Sequence, residues 1–186
     1  IDSLEVRAQD SVFSNLPYSR SLLRNAMRQA QDSMSYYRLM GLYGKTFFIS
    51  SDFDSILYYN RPVKEYDKRA AACPRWNDVL SDVYNIEGNV WMQLNQPDSA
   101  VAYYEKSYAY RLKGDKAHLL SDICMNLADA HLHRGELAHT ASYYRRALFI
   151  CDSLHLSIRG VDEGSRAHID DAPDVAHVFV HELPHL

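Results

Sequence analysis

Between residues 78 and 94 the apolar and small positions fall into a stripe. Leu80, Val83, Tyr84, Gly88 and Trp91 recur at steps of three and four, which places them on one face of an α-helix. Glu87 is the exception within that stripe. Gly88 is a poor helix former, so its position predicts the close approach of a neighbouring helix. Asn95-Gln96-Pro97-Asp98 ends this helix and starts another over about 97–113, because Pro97 lacks only an N–H that a first helical turn does not use. Ala100, Tyr104, Ser107 and Tyr108 share a face of the second helix, and Gly114 predicts a left-handed stop. Asp115 is then placed to cap a helix running to about 134, with Leu120, Cys124, Leu127, Ala128 and His131 on one side. Gly135 closes it. A partner over about 137–153 carries Leu137, Ala141, Tyr144, Ala147 and Leu148 inward.

These two hairpins are in register. Tyr103-Tyr104 and Tyr143-Tyr144 stand forty residues apart, and so do Gly88 and Ala128. A weaker copy lies upstream, with Gly44 as its small residue, a turn over 50–54, and Ile56, Tyr58 and Tyr59 in its second helix. Pro62 predicts a kink or restart there. Leu4 to Phe13 and Tyr18 to Ala30, split by Asn15-Leu16-Pro17, read as a further, degenerate hairpin. From about Ser157 onward Gly160, Gly164, Pro173 and a run of acidic residues break the pattern. The expectation is an all-α stack of about four antiparallel helix hairpins over residues 1–154, followed by an irregular, acidic, His-containing tail over 155–186.

Composition narrows the function classes. A net charge of −4 argues against direct nucleic-acid binding, which needs a basic face. No apolar run approaches the roughly 20 residues of a membrane span, so this segment is not expected to insert in a membrane. Three cysteines without CxxC spacing read as small buried core residues. The fourteen tyrosines, several paired in repeat register, read as packing groups with a polar tip. No phosphate loop, Ser/His/Asp set or paired-carboxylate site stands out, and no cofactor is expected.

The pattern resembles the tetratricopeptide repeat. The small positions of that family match Gly44, Gly88 and Ala128. Its aromatic three residues on matches Phe47, Trp91 and, less closely, His131. Its second-helix positions match Ile56, Ala100 and Thr140, then Asn60, Tyr104 and Tyr144. Ile56, Asn60, Glu87, Thr140 and the missing Pro after each second helix depart from the common pattern. They look like the longer-spaced bacterial variety, whose arrays often form the sensing half of regulatory proteins. The resemblance implies a right-handed α-solenoid whose first helices line a concave face, and a non-catalytic role in binding a protein or peptide there. In register, that face would carry Arg38, Lys45 and Phe48, then Asn85, Asn89 and Met92, then Asp122, Met125, Asp129 and Leu132. Asp122 and Asp129 stand where the family's carboxylate clamp needs cations, so that specificity is not implied. The likeness to sensory arrays leans toward a periplasmic home, with the cytoplasm open. An architectural role as a spacer or homo-oligomeric scaffold also stays open.

One segment points toward chemistry. His181-Glu182-Leu183-Pro184-His185 matches the H-E-x-x-H pattern of zinc peptidases, with His177 as a third nitrogen, so a zinc-dependent hydrolase is the alternative reading. Pro184 opposes it by sitting inside the turn that would have to be helical. His131 replaces a packing aromatic and is expected to be buried or half-buried. His131 and His139 are too far apart in sequence to share a metal on one helix.

Overall fold

The computed structural model describes residues 2–67 and 73–162. Eight helices run through them: α1 Asp2–Ser11, α2 Leu16–Gln29, α3 Ser33–Lys45, α4 Phe53–Tyr66, α5 Pro74–Gln93, α6 Pro97–Arg111, α7 Leu120–His133 and α8 Leu137–Asp162. A 3-10 turn over Thr46–Ser50 prolongs α3, and another over Ala117–Leu119 leads into α7. The described residues contain no strand, and none of their helices is long and apolar enough to cross a membrane.

Local chemistry sets the helix starts. The Asn15, Asp32 and Asp52 side chains accept hydrogen bonds from the backbone N–H three residues on, at 3.1, 2.8 and 3.1 Å, and so cap α2, α3 and α4. Proline lies in the first turn of α2, α5 and α6.

Several sequence expectations need correction. α4 does not restart at Pro62 but continues to Tyr66. Val63 is fully buried, and Tyr66 stacks on Tyr37 at 4.5 Å and meets Trp76 edge-on at 5.2 Å, contacts that only a continuing helix delivers. Gly114 is not left-handed. It is small because the Asp78 carboxylate occupies the space that a side chain would fill. Asp115 does not cap α7; its backbone N–H donates to Asp78 at 3.0 Å. α8 does not stop near 153 but runs through Gly160 to Asp162. Of the three thiols only Cys124 is buried, where burial pushes its pKa up to about 12; Cys73 is half-buried and Cys151 exposed.

Helices pair in chain order, and the cross-contacts run antiparallel. Tyr104 bonds Asn89, Ser107 bonds Ser81 and Arg111 bonds Asp78, so α6 descends as α5 ascends. Tyr43 with Tyr59 and Tyr37 with Tyr66 give the same sense for α3 and α4. Odd-numbered helices lie side by side: Arg38 bonds Glu5, Gly41 faces Val83, and Asn126 donates to Asn85 at 2.9 Å. α2, α4 and α6 also pack on the odd helix that follows their hairpin, and the core lies between the two sets. Leu39, Ile56, Val63, Leu80, Val90, Ala100, Tyr104 and Leu127 are among its deeply buried members.

The last three hairpins share one geometry. Seven residues beyond Gly44, Gly88 and Ala128 the backbone turns left-handed, at Ser51 (φ 52°), Asn95 (φ 56°) and Gly135 (φ 75°). The same residues end each loop in the same place, so α4, α6 and α8 all begin two residues later. The ring three residues past each small position packs on a tyrosine of the partner helix: Phe47 on Tyr59, Trp91 on Tyr103 and His131 on Tyr143, with centroids 5.4, 6.0 and 5.4 Å apart. The Asn89–Tyr104 bond recurs forty residues on as Asp129–Tyr144.

Candidate functional site: a groove along the odd-numbered helices

α1, α3, α5 and the lead-in to α7 enclose an open cavity of about 710 Å³. Its apolar lining comes from Phe13, Leu42, Phe48, Ile49, Val79 and Ile86. Phe13 is 88% exposed and Ile49 44%, so part of this lining is apolar surface left in water. On α5 the lining residues are Arg75, Asp78, Val79, Asp82, Val83 and Ile86, spaced by three and four along one face of the helix.

The charged groups at the cavity divide by whether they are already engaged. Glu5 is bonded by Arg38. Asp78 and Asp82, one turn apart on α5, are both bonded by Arg111 from the end of α6, with Asp78 Oδ1 at 2.7 Å from its Nη1. Asp78 also accepts from the backbone N–H groups of Asp115 and Lys116, at 3.0 and 3.3 Å, and so ties the α6–α7 connection to α5. Arg111 is 2% exposed, so with Asp78 it forms a buried ion pair, which the part-exposed Asp82 joins from the cavity side. The Lys45, Arg75 and Lys116 side chains have no partner among the described residues. The unengaged charge at the cavity is therefore positive, although the chain as a whole is acidic.

Of the groove residues expected from register, Arg38, Lys45 and Phe48 line this cavity. Asn85, Asn89 and Met92 do not. Asn85 accepts from Asn126, and Asn89 Oδ1 accepts from Tyr104 Oη at 2.7 Å. Burial raises the Tyr104 pKa, so that hydroxyl stays a neutral donor. Met92 packs half-buried against the apolar cluster that α6 and α7 form around Tyr104 and Leu127. Asp122, Met125, Asp129 and Leu132 form an exposed stripe on α7 outside the cavity, where Asp129 accepts from the Tyr144 hydroxyl. Sequence reasoning missed Glu5, Arg75, Asp78, Asp82 and Lys116. The i, i+4 spacing of Asp78 and Asp82 was the available signal; Arg111, thirty-three residues on, was not visible as their partner.

His177, His181, Glu182 and His185 lie outside the described residues. Comparison with protein-family models and with curated proteins finds no match to the chain.

Proposed function

We propose that this chain is a non-catalytic helical-repeat module, a right-handed solenoid of the tetratricopeptide kind, that binds a protein segment along its odd-numbered helices. The observation that carries the reading is the cavity itself: an apolar, partly exposed lining with three unengaged cations, to which α3 and α5, helices that share one register, contribute alongside α1. A ligand suited to it has aliphatic or aromatic anchors flanked by carboxylates, since each anchor removes apolar surface from water and each carboxylate meets a cation that has no other partner. A sensory role in a bacterial regulator is consistent with such a module and comes from the resemblance alone.

A peptide-display selection on the folded chain tests this. Enriched sequences should combine Asp or Glu with Leu, Ile or Phe. Anisotropy with a synthetic winner should show at least tenfold weaker binding to Lys45→Glu/Arg75→Glu. No enrichment, or enriched peptides that bind the double variant equally well, would remove the groove from the account.

A further inference from the structure

The geometry points to a divalent transition-metal site, of zinc chemistry, at the turn between α7 and α8, with His131, Glu136 and His139 as ligands. It is separate from the groove and independent of the reading of it. His131 lies in the last turn of α7 and is 5% exposed, Glu136 immediately precedes α8, and His139 lies exposed in the first turn of α8. The left-handed backbone at Gly135 folds the chain back, and the Glu136 N–H donates to the His131 carbonyl at 2.9 Å. Both imidazoles consequently present Nδ1 to one carboxylate oxygen. Glu136 Oε2 lies 2.6 Å from His131 Nδ1 and 3.9 Å from His139 Nδ1. The candidate ligand atoms all lie within 4.8 Å of one another.

Two nitrogens and one carboxylate oxygen are a zinc donor set, with water as the fourth ligand. Bonds of about 2.1 Å in a tetrahedron put ligand atoms roughly 3.4 Å apart. The 2.6 Å gap has to open and the 3.9 Å gap to close, each by less than about 1 Å, and the same turn of His139 has to set its distance from His131, now within 4.8 Å. Both movements fall to groups that can make them: the half-buried Glu136 and the exposed His139. His131 stays fixed by its burial and by the Tyr143 ring stacked on it at 5.4 Å, while His139, whose ring stacks on His131 at 5.0 Å, has to turn out of that stack to aim its nitrogen at the same ion. Arg134 holds the other carboxylate oxygen, Oε1, at 2.9 Å and is itself bonded to Asp98 at 2.9 Å, so Oε2 remains aimed at the imidazoles. The sequence separation that rules out one-helix ligation is immaterial, because the ligands come from both arms of a hairpin. The preceding hairpin carries Trp91, Gln96 and Ser99 at these positions, so the set belongs to the last hairpin alone and is not a by-product of the repeat. Loading replaces a shared proton with the ion and clips the two helices together.

Calorimetric titration of Zn²⁺ into the full chain tests this, with His139→Ala and Glu136→Gln as site variants. His177→Ala/His181→Ala/His185→Ala serves as a control for the terminal histidines. His139 is exposed, so its removal leaves the fold in place, to be checked by circular dichroism. The expected result is one zinc whose affinity falls at least tenfold in each site variant and is retained in the terminal triple variant, with a zinc-dependent rise in Tm that His139→Ala abolishes. Absence of zinc binding, equal binding by wild type and His139→Ala, or loss only in the triple variant would overturn the assignment.

Discussion

At the scale of single residues, Glu87 is the most informative. It interrupts an apolar stripe, and it is fully buried. Its Oε2 lies 2.7 Å from Lys64 Nζ on α4, while its Oε1 is a buried atom without a hydrogen bond. Lys64 is still about a quarter exposed and its ammonium also lies over the Tyr84 and Tyr103 rings, at 5.8 and 5.7 Å. Such a pair contributes little against a well-packed apolar pair, but removing one partner strands a charge in the core. Lys64→Ala should therefore cost on the order of 3 kcal/mol in urea unfolding, and Glu87→Leu in the same background should return most of that loss. A loss no larger than that of the exposed neighbour Arg61→Ala would show that the pair matters little. Glu87 was legible as a misfit, but Lys64 was not legible as its answer, because the partner belongs to the preceding hairpin. Gly88 was fully legible: a methyl there would overlap the Tyr104 ring, which is the close approach its position implied. Gly114 was misread, because the carboxylate that excludes a side chain there comes from Asp78, thirty-six residues earlier.

At the scale of elements, the signals that succeeded were local. Pro97 in a first turn and Gly135 closing a helix each act through backbone within a few residues, whereas Asp115, the one capping side chain expected, does not cap α7. The signals that failed, Pro62 and Gly160, were overridden by helices that continue, for α4 because of what Val63 and Tyr66 contact beyond the proline. The caps carry a pH dependence. Asp32 accepts from the backbone N–H and then the hydroxyl of Ser35, Asp52 from the hydroxyl and then the N–H of Ser55, and these bonds hold both carboxyls below their ordinary value. The folded chain binds these protons less readily than the unfolded chain, so the caps' contribution is complete above about pH 4 and is lost as the pH falls through the lower folded values. Asparagine caps without titrating. Between pH 7 and pH 3 the urea midpoint of Asp32→Asn/Asp52→Asn should therefore fall less steeply than that of the wild type. Parallel curves would mean that other carboxylates govern the acid limb.

At the scale of the whole molecule, every extensive contact among the described residues joins helices one or two steps apart in the chain. Stability in such a molecule is close to a sum over hairpins and the interfaces between neighbours. A hairpin with neighbours on both sides opens less readily than one at an end. α5 and α6 have α3 and α4 before them and α7 after them, and they hold much of the deepest core: Trp76, Leu80, Val90, Ala100 and Tyr104. α1 contributes one buried apolar residue, Ala8, and keeps its register through the Ser19 hydroxyl bond to the Ala8 carbonyl at 2.7 Å and the Glu5–Arg38 pair. Native-state hydrogen exchange should accordingly give the slowest amides in α5, α6 and the first three turns of α7, and markedly faster ones in α1. Removing the Glu5–Arg38 contact by Arg38→Ala should speed exchange in α1 and leave α5 to α7 unchanged, since the effect has to pass through α3 to reach them. Uniform protection from α1 to α7, or a Arg38→Ala effect spread over all of them, would mean that the hairpins open as one unit and that the additive picture is wrong.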